Sequence, residues 1–244
     1  MIPLGDSVPS ERTPFVTYTL IALNVVIFFW ELLLGSQADS FLTRWGTVPA
    51  DIINWQRDPL VLFTLVTSAF LHAGWLHLIG NMLYLAIFGD NVEGIMGHKR
   101  YLVFYLVCGI AASLAQVLLA PTSTVPGIGA SGAIAGVLAG YLLCFPRARV
   151  FVGIPLLIIM EVIALPAVVV LGFWFVVQLF NGVASISSAS AAAAGGVGWW
   201  AHIGGFVAGL VLTPLLRQQR RHHFRYLDTM DRRYLRQWKR RVHE

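Results

Sequence analysis

A serine and a histidine lie at the starts of two apolar segments, far apart in the chain, and together they could carry out nucleophilic chemistry. Ser131 lies between Gly129 and Gly132, where a loop-like stretch passes into an apolar run, and His202 lies near the start of another. An imidazole can accept the proton of a serine hydroxyl as its oxygen attacks a carbonyl carbon, and then return it to the leaving group. Because the sequence offers no obvious buried carboxylate to orient His202, the pattern favours a Ser-His dyad over a triad.

A second pair of polar residues could stabilise the oxyanion that such an attack creates. His77 and Asn81 are four residues apart, a spacing that places both on one face of a helix. The backbone amide of Ser131, at a helix N-terminus, could supply a third donor. Two structural alternatives remain open: Ser131 as a small residue that caps or packs a helix, and Asn81 as the partner in a hydrogen bond between helices.

The segments that must position these groups are membrane helices. The chain of 244 residues is 57% hydrophobic and 12% charged, with a mean hydropathy of +0.71, and this composition indicates an integral membrane protein. A helix needs about 20 mostly apolar residues to cross a bilayer. Candidate spans lie at residues 15–34, 76–92, 101–120, 131–145, 163–180 and 201–216.

These runs predict an all-α, polytopic bundle of six transmembrane helices over residues 15–216, with a segment at 1–14 before it and a basic tail at 217–244. The fourth and sixth runs are short and rich in glycine and alanine, which indicates helices packed inside the bundle. Residues 60–71 are too few for a span and are expected at the membrane interface. We expect residues 150–159 along the inner face and a mobile connection at 181–200.

The basic residues predict the orientation of the bundle. If the spans alternate, 15 of the 17 Lys and Arg residues fall on one side of the membrane, and only Arg44 and Arg57 fall on the other. The positive-inside rule then puts both termini in the cytoplasm, and the four polar residues introduced above lie a little below the outer surface. Ionisable side chains at such depth are costly and persist mostly where they line a cavity or take part in chemistry.

Two stripes of glycine could bring the serine and the histidine together. The glycines recur at a spacing of four and are Gly132, Gly136 and Gly140 in the fourth span and Gly205 and Gly209 in the sixth. Small-residue faces let two membrane helices approach closely. We therefore expect Ser131 and His202 to lie within hydrogen-bonding distance.

Four motifs occur between residues 61 and 214, each near the end of a predicted span. They are HLIGNM at 77–82, GDNVEGIMG at 89–97, GASG at 129–132 and AHIGGFVAG at 201–209. In this order they resemble the rhomboid family of intramembrane serine proteases. The resemblance implies a six-helix core with a water-filled depression open to the outer face, which cleaves single-span membrane proteins in or near the bilayer without a metal or organic cofactor.

The same resemblance implies a role for each matched residue. Ser131 resembles the nucleophile, His202 its base, and His77 with Asn81 the oxyanion partners, while Glu93 resembles a position that braces a helix end. Two positions depart from the pattern. Position 135 is alanine, where many members carry an aromatic ring that stacks on the histidine. Two outcomes are therefore open: His202 is held less firmly, or another aromatic residue such as Trp199 or Trp200 compensates. Where some members carry a Trp-Arg pair, the chain reads Phe-Thr at 63–64.

Other functions are less well supported by the residues. A non-catalytic relative that binds client helices is the main alternative, although such proteins generally lack the serine or the histidine. A transporter would place charged groups near the midplane. His72 is interpreted as an interfacial residue, and a metal site with His77 is disfavoured because no third ligand is spaced for it.

The tail and the first residues indicate the surroundings of the protein. Basic and aromatic residues alternate after residue 216, a pattern that suits anionic lipid head groups better than nucleic acid, and a solvated, partly disordered extension is an equal alternative. The N-terminal segment has no transit-type extension, which favours a prokaryotic plasma membrane. Expected partners are therefore membrane lipids and single-span substrates.

Overall fold

The computed structural model describes residues 2–10, 12–156, 159–187 and 198–218. The α-helices within these ranges are α1 (Phe15–Leu33), α2 (Ala38–Trp45), α3 (Pro49–Ile53), α4 (Thr64–Thr67), α5 (Trp75–Met96), α6 (His98–Leu119), α7 (Ser131–Cys144), α8 (Ala167–Ser187) and α9 (Trp199–Leu216). Short 3-10 helices lie at Gly35–Gln37, Trp55–Arg57, Pro59–Phe63 and Ser68–Phe70. The strands are β1 (Ile2–Asp6), β2 (Arg149–Leu156) and β3 (Ile159–Pro166). Most of the basic tail, residues 219–244, lies outside the described residues.

The long helices form a bundle with the short helix α7 at its centre. Every residue of α7 from Gly132 to Tyr141 is buried, and α5, α6 and α9 pack around it. Within the described residues, α1, α6, α8 and α9 are long and apolar enough to cross a membrane. A helical segment at Pro59–Phe70 and α5 form a pair bent by 79°, which would make a fifth span. The protein is thus a multi-pass, mostly helical membrane protein; six spans and cytoplasmic termini stay predictions.

The predicted glycine stripes of α7 and α9 do face each other. A Cβ built on Gly205 would collide with the carbonyl oxygen of Gly132. A Cβ built on Gly209 would collide with the carbonyl oxygen of Gly136 and lie 2.7 Å from its Cα. Since real Cβ atoms essentially never lie closer than 3.0 Å to a neighbouring atom, only glycine permits this backbone contact.

The glycines also allow contacts with other parts of the bundle. A Cβ on Gly136 would lie 2.5 Å from Cys108 Sγ of α6, and a Cβ on Gly140 would lie 3.0 Å from Thr213 Oγ1 of α9. A further glycine of α9, Gly204, faces α6 and has no room for a side chain. Helix α9 therefore uses two glycine faces, one toward α7 and one toward α6.

Three strands pack against the bundle, so the prediction of an all-α fold was wrong in this part. The sheet is antiparallel in the order β1, β2, β3, with Ile2 opposite Gly153 and Arg149 opposite Pro166. The consecutive residues 150–152 of β2 are at most 1% exposed, so the strand is covered on both faces. A strand buried on both faces has a continuous apolar sequence without alternation, and periodicity does not distinguish it from other apolar segments. Residues 150–156 and residue 159 therefore belong to a sheet.

The fifth predicted span, residues 163–180, was also wrong in its bounds. Strand β3 continues to Pro166, and α8 then runs from Ala167 to Ser187. The backbone amide of Ala167 donates to the carbonyl of Ala148 at 2.8 Å, so the helix begins against the segment that follows α7. At the other end α8 continues through residues 181–187, which were expected to be a loop; the connection at 188–197 lies outside the described residues.

Glu93 of α5 braces the start of α1, as expected. Its carboxylate accepts hydrogen bonds from the backbone amides of Val16 and Thr17 at 2.9 and 2.8 Å and from the Thr17 hydroxyl at 2.7 Å. The first amides of a helix have no partners within the helix, and a carboxylate there also interacts favourably with the helix dipole. Since Glu93 is only 1% exposed, this pairing fixes α1 to α5.

Asp6 joins β1 to the end of the bundle opposite Ser131. Its carboxyl accepts hydrogen bonds from the Tyr141 hydroxyl at 2.6 Å, from Asn91 Nδ2 at 3.0 Å and from the backbone amide of Val8 at 3.1 Å. Burial raises the pKa of Asp6 to about 7; the hydrogen bond from Tyr141 opposes this increase only in part, and the Asp90 carboxylate adds to it. The strand is thus anchored by a carboxyl group that holds its proton up to near neutral pH.

The contact between α7 and α9 predicts that Gly209→Ala destabilises the protein. The added methyl group would overlap the backbone of Gly136, so we expect the free energy of unfolding to fall by about 1–3 kcal/mol. Chemical denaturation in detergent measures this change. Gly172→Ala on α8 is the matched control, because no atom lies within 4 Å of the added carbon, and it should stay within about 1 kcal/mol of the wild type. Equal effects of the two substitutions would contradict the packing.

The raised pKa of Asp6 predicts that the free energy of unfolding falls as the pH rises. Between pH 4 and 7 the folded protein keeps the Asp6 proton and the unfolded chain loses it, so the free energy of unfolding decreases across this interval. Asp6→Asn keeps a carbonyl acceptor for Tyr141 and cannot ionise. We expect a flatter pH dependence and about 1–3 kcal/mol more stability than the wild type above pH 7. Denaturation midpoints from pH 4 to 8 measure this, with exposed Asp51→Asn as control; an unchanged slope for Asp6→Asn would refute it.

Candidate active site

Ser131 and His202 meet where α7 and α9 begin. Ser131 is the first residue of α7 and His202 lies in the first turn of α9, and their Oγ and Nε2 atoms are 2.8 Å apart. Both side chains are partly exposed, so the pair remains accessible from outside the bundle. The expected approach of the two residues is confirmed, and the glycine contacts one turn further along the helices explain it.

The loop before Ser131 is held by the connection between α1 and α5. Thr47 and Gly127 exchange two backbone hydrogen bonds of 3.0 and 2.8 Å, and the amide of Gly129 donates to the carbonyl of Ser68 at 2.8 Å. The Thr47 hydroxyl donates to the carbonyl of Thr64 at 2.8 Å. These contacts anchor the loop before Ser131 to the connection between α1 and α5.

His77 and Asn81 both lie beside Gly129, two residues before Ser131. A Cβ built on Gly129 would lie 2.6 Å from His77 Nε2 and 3.5 Å from Asn81 Nδ2. Gly129 has a φ of +117°, in the region that disfavours side chains, so both the backbone and the available space require glycine there. The three helices α5, α7 and α9 therefore bring all four predicted polar residues to one end of the bundle.

His72 is part of this polar group, and its interpretation as an interfacial residue was wrong. The side chain is 2% exposed, and its Nε2 lies 2.9 Å from Asn81 Nδ2. Because an amide nitrogen only donates, His72 Nε2 is the acceptor and one N–H group of Asn81 remains for another partner. The backbone amide of His72 lies 3.3 Å from both carboxylate oxygens of Glu31, a buried residue of α1.

Gln178 of α8 completes the surroundings of His202, and it was not predicted. Its Oε1 lies 2.8 Å from His202 Nδ1, on the side of the ring away from Ser131. The sequence does contain a signal, because Gln178 is a polar residue within a long apolar run. Polar side chains inside membrane helices are rare and usually face the bundle interior.

Two tryptophans take the place of the aromatic ring expected at position 135. The ring centroid of Trp174 lies 5.8 Å from that of His202 at an interplanar angle of 39°, and Trp199 approaches His202 edge-on at 6.3 Å. Trp199 was one of the two expected compensating residues, whereas the contact from Trp174 was not foreseen. Trp200, the other, lies against Gly182 of α8. The imidazole is thus flanked by rings from α8 and α9.

The arrangement suits a serine that attacks a carbonyl carbon. His202 Nε2 is placed to accept the Ser131 proton, and His77 Nε2 and Asn81 Nδ2 are potential donors on the Gly129 side. The amides at the start of α7 have no partner within the helix, so that of Ser131 could add a third donor. Among the described residues, no three His, Cys, Asp or Glu side chains are grouped to hold a metal ion.

The space beside Gly129 predicts a selective loss of reactivity in Gly129→Ala. The methyl group would occupy the region between Gly129 and the ring of His77, whose atoms are its nearest neighbours. We expect a fluorophosphonate to label Ser131 at least about 10-fold more slowly, because the methyl group displaces donors to the developing charge and the φ of +117° strains the loop before Ser131. Gly127→Ala, in the same loop, is the control, since its added carbon makes an ordinary contact of 3.4 Å. If Gly129→Ala were labelled at the wild-type rate, the open space between Gly129 and His77 would not be needed for the reaction of Ser131.

Comparison with known proteins agrees with this geometry. The family model described as Rhomboid domain matches residues 59–219, more than half of the chain. Rhomboid protease GluP of Bacillus subtilis (strain 168) is 37% identical over 133 residues, which are 53% of this chain and 24% of the relative. Rhomboid protein 1, mitochondrial, of Saccharomyces cerevisiae is 29% identical over 201 residues, which are 80% of this chain and 51% of the relative.

A third relative is named as inactive. Inactive rhomboid protein 1 of Drosophila melanogaster is 32% identical over 84 residues, which are 34% of this chain and 6% of the relative. The chain spans about a quarter to a half of the length of the first two relatives. The family match covers α4 to α9 and contains Ser131, His202 and their polar neighbours, so the chain belongs to the rhomboid family.

Proposed function

We propose that the protein is an intramembrane serine endopeptidase that hydrolyses peptide bonds of single-span membrane proteins through a Ser-His dyad. The observation that carries the proposal is the hydrogen bond of 2.8 Å between Ser131 Oγ and His202 Nε2. A serine alone at a helix start is most simply a packing or capping residue. Its contact with an imidazole from another helix, flanked by two further donors, favours nucleophilic catalysis.

In the proposed acylation step Ser131 Oγ bonds to the carbonyl carbon of the substrate peptide. The Oγ proton moves to His202 Nε2, and the carbonyl oxygen becomes an oxyanion that His77, Asn81 and the Ser131 amide stabilise. The C–N bond then breaks, and the imidazolium gives its proton to the leaving amine. A water molecule then hydrolyses the acyl-enzyme. His202 Nε2 takes a proton from the water as the water oxygen bonds to the acyl carbon. The bond between that carbon and Ser131 Oγ breaks, and His202 returns the proton to Oγ.

The membrane setting supports the proposed substrate class. Ser131 and His202 lie at the first turns of two apolar helices and are partly exposed, so an extended segment of a neighbouring transmembrane protein could reach them. We propose that the site opens to the outer face of a prokaryotic plasma membrane, with both termini in the cytoplasm. The distribution of basic residues supports this orientation. The chemistry needs no metal or organic cofactor, and membrane lipids are the other expected partners.

A non-catalytic protein that binds client helices is the second candidate, because one relative is named as inactive. Both reacting side chains are present and in contact here, which favours the protease. The candidates differ in a direct way: both would bind a transmembrane helix, and only the protease would cut it.

Ser131→Ala should abolish both cleavage and labelling. In proteoliposomes, the purified wild type should cleave a panel of single-span peptides and react with a fluorophosphonate, and Ser131→Ala should lose at least about 1,000-fold of the cleavage rate because no nucleophile remains. Gel and mass-spectrometric detection of products measures this. Ser113→Ala on α6 is the matched control and should cleave normally. Equal cleavage by Ser131→Ala, or binding of the peptides by the wild type without cleavage, would refute the proposal.

A further inference from the structure

Gln178 is a polar side chain that α8 buries against the active-site histidine. It is 4% exposed, and it lies between apolar neighbours on a helix that is apolar enough to cross the membrane. Both ends of its amide have a partner. Oε1 lies 2.8 Å from His202 Nδ1, and Nε2 donates to the carbonyl oxygen of Trp174 at 3.2 Å.

These two contacts determine the direction of the whole hydrogen-bond chain. The carbonyl oxygen of Trp174 can only accept, so the NH₂ group of Gln178 must face it and Oε1 must face His202. Oε1 also only accepts, so the proton of a neutral imidazole must be on Nδ1. Nε2 of His202 is then unprotonated and can accept the hydrogen of Ser131, which lies 2.8 Å away.

We propose that Gln178 is the positioning residue that keeps His202 in the tautomer able to act as a base toward Ser131. This inference rests on the proposed function for its catalytic consequence. A free imidazole divides its proton between the two nitrogens, and only the tautomer protonated on Nδ1 can accept the serine proton at Nε2. The pair then becomes a Ser-His-Gln arrangement whose third member contacts neither substrate nor reacting atoms.

The chemistry of an amide explains why glutamine suits this position. A carboxylate would also orient the ring and would stabilise the imidazolium, but an ionised group inside an apolar bundle is costly when the histidine is neutral. The amide supplies the same acceptor without a charge. Its second end is anchored to the backbone of its own helix, so the side chain is held in one orientation.

Helix α8 therefore constrains His202 in two ways. Trp174 and Gln178 are four residues apart and lie on one face of the helix, with the Trp174 ring beside the imidazole and the Gln178 amide at Nδ1. The ring restricts the tilt of the imidazole, and the amide determines which nitrogen carries the proton. Neither constraint comes from α7 or α9, the helices that carry the reacting pair.

Substitutions at Gln178 test the role by their effect on kcat and on its pH dependence. Gln178→Met keeps an unbranched chain of similar size but removes the acceptor, and we expect kcat to fall about 10- to 100-fold with KM within about 2-fold. Gln178→Glu restores an acceptor and should recover at least about 10-fold of that loss. Its carboxylate should also shift the acidic limb of the kcat profile to higher pH, because it favours the imidazolium.

The control separates positioning from packing. Leu171 is fully buried on the same helix, two turns before Gln178, and Leu171→Ala should lower the denaturation midpoint while leaving the pH profile unchanged. A wild-type kcat in Gln178→Met, a loss confined to KM, or a Gln178→Glu enzyme as slow as Gln178→Met would overturn the proposal.

A measurement that does not need cleavage distinguishes this inference from the proposed function. Ring ¹⁵N shifts of histidine-labelled full-length protein in detergent, with His202→Gln to assign the signal, report which nitrogen carries the proton. We expect Nδ1–H for the wild type and a mixture for Gln178→Met. An Nε2–H tautomer in the wild type, or no change in Gln178→Met, would overturn the positioning role. A protein that fixes the tautomer through Gln178 but neither cleaves nor labels would refute the protease and leave the positioning role intact.

Discussion

The backbone contact between α7 and α9 is the constraint on which the rest of the structure depends. Apolar side chains gain little by meeting each other in a bilayer, because lipid tails are equally apolar, so close packing of the backbones provides much of the attraction between membrane helices. Gly205 and Gly209 permit that packing only because they lack side chains. Ser131 and His202 extend from the same ends of these helices, so the contact that holds the bundle together also sets their separation.

The predictable part of the site is the part encoded within single helices. The start of α7 at Ser131, the glycine spacing and the pair His77 and Asn81 all follow from local sequence patterns, and the structure brings these residues together. Gln178 depends on a different relationship, because α8 must lie beside α9 before its amide can reach the histidine. The spacing of 24 residues between Gln178 and His202 contains no helical period that would indicate the contact. The available signal was Gln178 itself, a polar residue within the apolar residues 167–180 of α8.

His72 and the sheet were missed for a similar reason. His72 lies in the break between the segment Pro59–Phe70 and α5, where the chain bends by 79°, and a bend is a property of packing that the local sequence does not show. Strand β1 pairs with β2 across about 150 residues of chain, and β2 is apolar on both faces, so neither alternation nor proximity reveals the sheet. Helix periodicity is encoded locally, whereas strand pairing depends on distant partners.

Different helices set the distance between Ser131 and His202 and the direction of the hydrogen bonds around His202. The glycine contact between α7 and α9 sets the distance between Oγ and Nε2, but it does not determine which imidazole nitrogen carries the proton. That choice depends on an acceptor at Nδ1. Helix α8 supplies one through the Gln178 amide, whose orientation is fixed by its hydrogen bond to the backbone carbonyl of Trp174. A carbonyl oxygen within a helix cannot change from acceptor to donor, so the polarity of the chain from Trp174 through Gln178 and His202 to Ser131 is determined by the backbone. A neutral relay of this kind gives the base its correct tautomer in a membrane interior where a buried carboxylate would be costly.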